Sequence, residues 1–253
     1  MSSVPGWESE STWRAPLPQP VSAERTVLID ALAALVCTLR TVRVLVAVDG
    51  LTGAGKTSFG HELGAAVRRL GRPTLRAGLD DFKHPWRHAR EHSYDRTSGE
   101  GYYRNAQDQG AVRRLLLDPM APSGSGRVVL CAHDPLTGVD HRGTVVRAPT
   151  DAVLIVDGVF ALRPAYDACW DLRIWLDVDV ELSARRMLVR DQEREGAVEA
   201  ARLHRERYHP GELIYLAEVN PRERADVVVD NTDLARPRLV RPAELADAGR
   251  GRG

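Results

Sequence analysis

Short β-branched runs alternate with stretches of helical periodicity along this chain of 253 residues, and the alternation predicts an α/β fold, a mostly parallel sheet sandwiched by helices. Two further observations point the same way. The run RVLVAV, residues 43–48, is apolar without alternation, as expected of a strand covered on both faces. It leads through a glycine-rich turn straight into an amphipathic stretch, the opening of a βαβ unit. The length suits one sizeable domain with tails better than two small ones.

Residues 1–20 carry four prolines and little apolar periodicity, which predicts a flexible N-terminal arm. From Ser22, the residues Val27, Leu28, Leu32, Leu35, Val36 and Leu39 recur at helical spacing and predict a helix ending near Arg40. After the strand at 43–48, Phe59, Leu63, Val67 and Leu70 share one face of a second helix over 57–70. Strands follow at 73–79, 127–132, 151–157, 171–178 and 225–230. Helical stretches fall at 107–117, from about 179 to Glu195, and from Val198 to Tyr208; YHPGELIY, residues 208–215, reads as a turn into another helix. The segment 83–106 lacks clear periodicity and is long for a connector, so it is either a disordered loop or one that binds substrate. After Asp233, proline, arginine and glycine dominate. The expected organisation is an arm over 1–20, one folded domain over 21–234 and a flexible C-terminal tail over 235–253.

Composition narrows the function. Lys plus Arg and Asp plus Glu both number 35, so no global field attracts nucleic acid or an anionic membrane. The amino terminus has no basic and apolar leader, and no apolar run reaches membrane-spanning length, so a soluble, cytoplasmic protein is expected. Cys37, Cys131 and Cys169 are odd in number and widely spaced, which fits buried thiols in a reducing compartment rather than a disulfide framework or zinc site. The apolar face of the first helix is suited to packing, and could also serve a homo-oligomer.

Lysine occurs only at Lys56 and Lys83; every other basic residue that is always charged is arginine. Lys56 lies in Gly50-Leu-Thr-Gly-Ala-Gly-Lys-Thr57, a full match to GxxxxGK[ST] placed between an apolar strand and an amphipathic helix. In such a P-loop the backbone N–H groups from Gly50 through Gly53, Ala54, Gly55 and Thr57 to Ser58 wrap a polyphosphate. The following helix adds its N-terminal dipole, Lys56 reaches the β and γ oxygens, and the Thr57 hydroxyl binds Mg²⁺. A compact ammonium on a flexible stem suits a narrow loop that a planar guanidinium would not fit. The fold expectation thus sharpens to a P-loop NTPase-like sheet with ATP and Mg²⁺ as cofactors.

Neither a guanine-reading [NT]KxD motif nor an LSGGQ-like stretch is present, which leaves the small-molecule kinases. LDDFKHP follows a strand at its carboxyl end, where α/β sheets place chemistry. Asp80 or Asp81 could supply the carboxylate that orients an acceptor hydroxyl and takes its proton. AVLIVDG ends a strand in Asp157, where P-loop proteins put a carboxylate that orders the Mg²⁺ shell. In ARRMLVRDQEREG, the residues Arg186, Arg190 and Arg194 share a helical face. They read either as a lid that closes over a triphosphate or as an ion-paired surface helix with Asp191, Glu193 and Glu195.

In their order, GLTGAGKT, LDDF, SGEGYY, LIVDGVFAL, RRMLVRDQEREG and ADVVVDN resemble the uridine kinase family of P-loop kinases, related to phosphoribulokinase and bacterial pantothenate kinase. The resemblance spans roughly residues 43–233. It implies a P-loop kinase domain with a helical lid and transfer of the γ-phosphoryl group of ATP to a small-molecule acceptor, the 5′-hydroxyl of uridine or cytidine. It also implies Asp80 as the activating carboxylate, with Lys56 and Arg190 completing the catalytic set. Thr57 would bind Mg²⁺ directly and Asp157 through a water; Arg186, Arg190 and Arg194 match lid arginines. Tyr102 and Tyr103 fall in the acceptor loop, where an aromatic face could stack on a base, and His133-Asp134 stand where the family has a base-contacting Tyr-Asp pair. Lys83, His133 and the missing arginine after Gly196 depart from the family pattern. Lys83 beside the acceptor would suit an anionic group, and another small hydroxyl compound, pantothenate- or sugar-like, is the alternative acceptor. A nucleotide-binding protein without acceptor chemistry is the alternative of a different class.

His84, His88 and His92 are four apart, but Pro85 and the basic residues around them argue for an irregular acceptor loop rather than a metal site.

Overall fold

The structure, a computed structural model, describes residues 4–13, 22–85, 90–93 and 95–243. Its elements in chain order are β1 (Gly6–Trp7), α1 (Ala23–Leu39), β2 (Val44–Gly50), α2 (Lys56–Arg69), β3 (Thr74–Gly78), α3 (Gly99–Asn105), β4 (Arg127–Val128) and β5 (Val146–Arg147). They continue with β6 (Val153–Asp157), β7 (Leu172–Asp177), α4 (Val180–Glu195), α5 (Ala197–Leu203), α6 (His209–Val219), β8 (Val227–Asp230) and β9 (Arg238–Arg241). Seven strands form one sheet in the order β1-β3-β6-β2-β7-β8-β9. All neighbours in it are parallel except β8 and β9. The predicted α/β architecture is therefore the one observed.

The central strand β2 is buried at every position, which explains its unbroken apolar sequence. One face packs Val44, Val46 and Val48 against Phe59, Leu63 and Val67 of α2 and Ile29, Leu32 and Val36 of α1. The other packs Leu45 and Ala47 with Phe82, Phe160, Tyr166 and Tyr215. Asp49, the last residue but one of this strand, lies inside the core, where it accepts hydrogen bonds from the Tyr215 hydroxyl at 2.5 Å, Leu162 N at 3.0 Å and Gly50 N at 2.7 Å. These donors satisfy a carboxylate that burial otherwise opposes, and burial still raises its pKa.

Four expectations change. Residues 4–13 do not form a free arm: Gly6 and Trp7 pair in parallel with Thr74 and Leu75 at the edge of the sheet. Residues 238–241 likewise form a strand, antiparallel to β8. Proline-rich composition hid both, because an edge strand needs only one side of its backbone paired. The run 127–132 is a strand only at Arg127–Val128, paired with β5 in a separate two-stranded ribbon. Its remainder is fully buried, and its amides bond outward: Val129 N to Leu115 O at 2.9 Å, Ala132 N to Asp81 O at 2.9 Å. An apolar run states burial, not sheet membership. The stretch expected as a helix over 107–117 forms three consecutive helical pieces, Gln109–Ala111, Val112–Leu117 and Asp118–Met120.

Within 83–106, Ser98 caps α3 by accepting from Gly101 N at 3.0 Å. A Cβ at Gly99 would collide with Pro210 and lie 2.8 Å from Gly211 N, so glycine is what lets α3 lie against the start of α6. Of the three cysteines expected to be buried, Cys131 is, while Cys37 and Cys169 are only partly covered. No helix among the described residues is long and apolar enough to cross a membrane.

Tyr215→Phe removes the shortest of the three hydrogen bonds to a fully buried carboxylate. Urea denaturation is expected to show a loss of about 1–3 kcal/mol without a change of fold in circular dichroism.

Candidate active site

The carboxyl ends of β2, β3 and β6 open into a cleft of about 870 Å³ that both lysines of the chain line. The P-loop forms its floor. Gly53 has a φ of 88°, and a Cβ there would lie 2.5 Å from Ser183 O of α4. A left-handed backbone pressed against a helix excludes any side chain at this point. The Ser183 hydroxyl also donates to Thr52 O, so the loop and the arginine-bearing helix are joined directly.

Lys56 is 8% exposed and donates to Leu51 O at 2.8 Å. Desolvation lowers the pKa of its ammonium, while Asp49, Glu212, Asp157 and Asp80 oppose that shift. Carboxylates from four segments thus favour the charge of one buried ammonium. Thr57 donates to Asp157 Oδ2 at 2.6 Å, and Arg76, 3% exposed on β3, pairs with Asp157 Oδ1 at 2.6 Å. The register explains why they meet: Gly78 of β3 lies opposite Asp157 of β6, and Val48 of β2 lies opposite it on the other side.

Asp80 and Asp81 occupy a short turn, Leu79–Phe82, at the end of β3. Their environments differ sharply. Asp81 is 3% exposed and accepts from Ser9 Oγ at 2.5 Å and Gly78 N at 3.3 Å; burial pushes its pKa up to about 6. Asp80 faces the cleft, where Lys83 Nζ lies 2.8 Å from its Oδ1. Loss of water opposes its ionisation, but Lys83, Lys56 and Arg190 outweigh this and hold its carboxyl below the usual range. Of the two, Asp80 is the one open to the cleft, its side chain 43% exposed.

Other site expectations divide. Tyr102 lines the cleft beneath Arg207, whose guanidinium lies 4.8 Å from the ring centroid, and beside Lys83 at 5.7 Å. Tyr103 does not reach the cleft: it is 7% exposed and packs on Phe160 at 5.0 Å and Tyr215 at 5.8 Å. Consecutive residues of a helix diverge by about 100°, so only one of the two tyrosines can face a ligand. His133 lines the cleft, with its pKa lowered by burial. Asp134 is taken up structurally, accepting from Thr12 N at 2.5 Å, Thr12 Oγ1 at 3.0 Å, Leu136 N at 2.9 Å and Thr137 N at 2.8 Å.

Arg190 and Arg194 line the cleft, paired with Asp191 at 2.7 Å and 3.6 Å. Arg186 turns toward the end of β8 instead, donating to Asn231 O at 3.1 Å and Thr232 O at 2.6 Å. The i, i+4 spacing drifts by about 40° per step, enough to send the first arginine to another part of the loop. His88 lies outside the described residues, and no group of three metal-ligating side chains occurs among those described.

Sequence reasoning missed Arg76, Glu212, Ser9 and Trp13. Glu212, 4% exposed, accepts from Thr52 N at 2.6 Å, so a carboxylate of α6 holds the P-loop itself. An acid within the apolar HPGELIY segment was the available signal; nothing local distinguishes Arg76.

A glycine-rich loop at the end of a central parallel strand, a carboxylate at the end of its neighbour and an arginine-bearing helix beside both are set in one mostly parallel α/β fold. Three solved structures share it. One named as a possible uridine kinase, from Bacillus stearothermophilus, is 24% identical with a TM-score of 0.60 over 79% of this chain and 96% of its own. One named provisionally as a fructose transport system kinase, from Silicibacter sp. TM1040, is 22% identical with a TM-score of 0.60 over 78% and 94%. The YGR205w protein is 14% identical with a TM-score of 0.56 over 86% and 96%. At these identities the likeness shows the shared fold. No protein-family model matches the chain, and no curated protein matches it.

Two outcomes follow from the buried groups. Arg76→Met strands the Asp157 carboxylate without its pair and is expected to lower stability by about 3 kcal/mol, read from urea melts. A carboxyl whose folded pKa is raised stabilises the fold below its unfolded pKa and loses that contribution as pH climbs through the folded value. The stability of the parent protein relative to Asp81→Asn should therefore fall between pH 4 and pH 7, by up to about 3 kcal/mol for a rise to about 6.

Proposed function

We propose that the chain is an ATP-dependent phosphotransferase that moves the γ-phosphoryl group to a hydroxyl of a small metabolite. The observation that carries this reading is the convergence of Asp80 and Asp157, from the ends of two neighbouring parallel strands, on Lys56 and Thr57 within one cleft. A binding protein with no acceptor chemistry has no use for Asp80 facing an open half of that cleft.

The P-loop amides and Lys56 bind the polyphosphate, and the burial of Lys56 makes its charge act at full strength on the oxygens it meets. Arg190 and Arg194 exchange the carboxylates that now hold them for the charge that develops on transfer. Asp80 orients the acceptor hydroxyl and receives its proton. Its lowered pKa makes it a weak base, which suits a loose transition state in which the nucleophile needs orientation more than activation. Thr57 and Asp157 present one hydroxyl and one carboxylate, an all-oxygen pair of the kind Mg²⁺ takes beside phosphate and water. Mg²⁺ bound there would neutralise charge on the β and γ oxygens.

For the acceptor, the resemblance in sequence favours the 5′-hydroxyl of uridine or cytidine, with Tyr102 and His133 near the base. A second reading rests on Lys83. This lysine, with Arg207 beside it over Tyr102, stands next to Asp80 on the acceptor side of the cleft, and favours a small acceptor carrying a carboxylate or phosphate.

A screen of nucleosides, sugars, hydroxy acids and their phosphates for acceptor-dependent ADP release tests the function. Release stimulated by at least one compound is expected, and Mg-ATP binding without stimulation by any of them overturns the enzyme reading. With the acceptor found, Asp80→Asn should lower kcat by about 10²–10⁴-fold while calorimetry finds Mg-ATP affinity nearly intact.

A further inference from the structure

The segment Glu8–Trp13 continues from β1 across the mouth of the cleft rather than away from it, and Glu8, Ser9, Ser11 and Trp13 line the cleft wall. It is fastened on the acceptor side at two points. Ser9 Oγ donates to Asp81, the neighbour of Asp80, at 2.5 Å, and Thr12 is held through N and Oγ1 to Asp134 at 2.5 Å and 3.0 Å. Two turns of the same kind bring the chain round: Ser11 N donates to Ser9 Oγ at 3.1 Å and Trp13 N to Ser11 Oγ at 3.2 Å. They deliver the Trp13 ring to the far wall, where the guanidinium carbons of Arg190 and Arg194 lie 5.3 Å and 4.9 Å from its centroid. Both separations are within the range in which a cation is drawn to an indole face.

We propose that Trp13 is a positioning residue for phosphoryl transfer, holding Arg190 and Arg194 of the lid helix over the cleft through its indole face, from a segment anchored beside Asp80. The inference rests on the kinase reading for its catalytic consequence. Arg190 and Arg194 carry charge on long, flexible side chains that Asp191 and Glu195 pull along the helix, with Arg194 2.7 Å from Glu195. An aromatic surface opposite those acids keeps the guanidiniums extended toward the cleft. Because the ring binds them by its π face and not by a carboxylate, a phosphate can displace the acids without displacing the ring.

The test compares the full-length protein with Trp13→Ala and Trp13→Phe, in two measurements. Hydrogen exchange of nucleotide-free protein reads the lid peptide over 180–195, and steady-state transfer to the acceptor found by the screen reads catalysis. Trp13→Ala is expected to speed exchange in the lid and lower kcat about tenfold, with Mg-ADP affinity within about twofold because the P-loop is untouched. Trp13→Phe, which keeps an aromatic face, should recover most of both. Unchanged lid exchange in Trp13→Ala overturns the positioning role whatever the transfer assay gives, as does an unchanged kcat or a Phe variant as impaired as Ala. Faster lid exchange in a protein whose parent form transfers phosphate to no compound leaves Trp13 holding the lid and overturns the kinase reading instead.

Discussion

An ammonium ion taken out of water at Lys56 is the constraint around which the cleft is built. Burial lowers the pKa of this ammonium, and the charges of Asp49, Glu212, Asp157 and Asp80 oppose that shift. Each of those acids must then be held in turn. Asp49 is held by Tyr215 and Leu162, Glu212 by an amide of the P-loop, Asp157 by Thr57 and Arg76, and Asp80 by Lys83. The ends of three parallel strands and the helix α6 are thereby tied to one side chain, far beyond the glycine-rich loop that names the motif.

The same arrangement divides the two lysines of the chain by task. Lys56 is 8% exposed, tied to Leu51 O and set among carboxylates that are themselves held in place. Lys83 pairs with a single acid across an open cleft and lies against an aromatic ring. The arginines fill the roles in which a planar fork serves better: Arg76 between a carboxylate and a carbonyl, Arg190 against both oxygens of Asp191, Arg186 across two carbonyls.

Legibility in the sequence followed how local each signal was. The strand, turn and helix around Lys56 are contiguous, and their periodicity and glycines stated both the fold and the loop that lines the cleft. Asp80 and Asp157 were readable because each ends an apolar run, the position at which parallel sheets gather polar groups. Tyr103 was misplaced because adjacency in sequence says nothing of which helical face meets the cleft. The strand expected through Cys131 was misjudged because apolar character reports burial without saying which backbone pairs with which. Arg76 and Glu212 carried almost no signal, since a charged residue in an apolar element is meaningful only once the opposite charge, more than 80 residues away for Asp157 and more than 150 for Lys56 and Thr52, has been brought beside it. The edge strands at 6–7 and 238–241 were hidden by composition that ordinarily marks disorder.

The two sheet edges are unlike in what they border. β9 closes one side antiparallel to β8, whereas β1 on the other side runs parallel to β3 and hands the chain directly to the cleft rim at Glu8 and Ser9. A purification tag or fusion partner joined ahead of Gly6 would leave from the amino end of the sheet, because Gly6 lies opposite Thr74, the first residue of β3, while the cleft opens at the carboxyl ends of the strands. One joined after Arg241, which lies opposite Val228 near the start of β8, would begin at the other border but toward the same end of the strands, so neither join would crowd the mouth of the cleft.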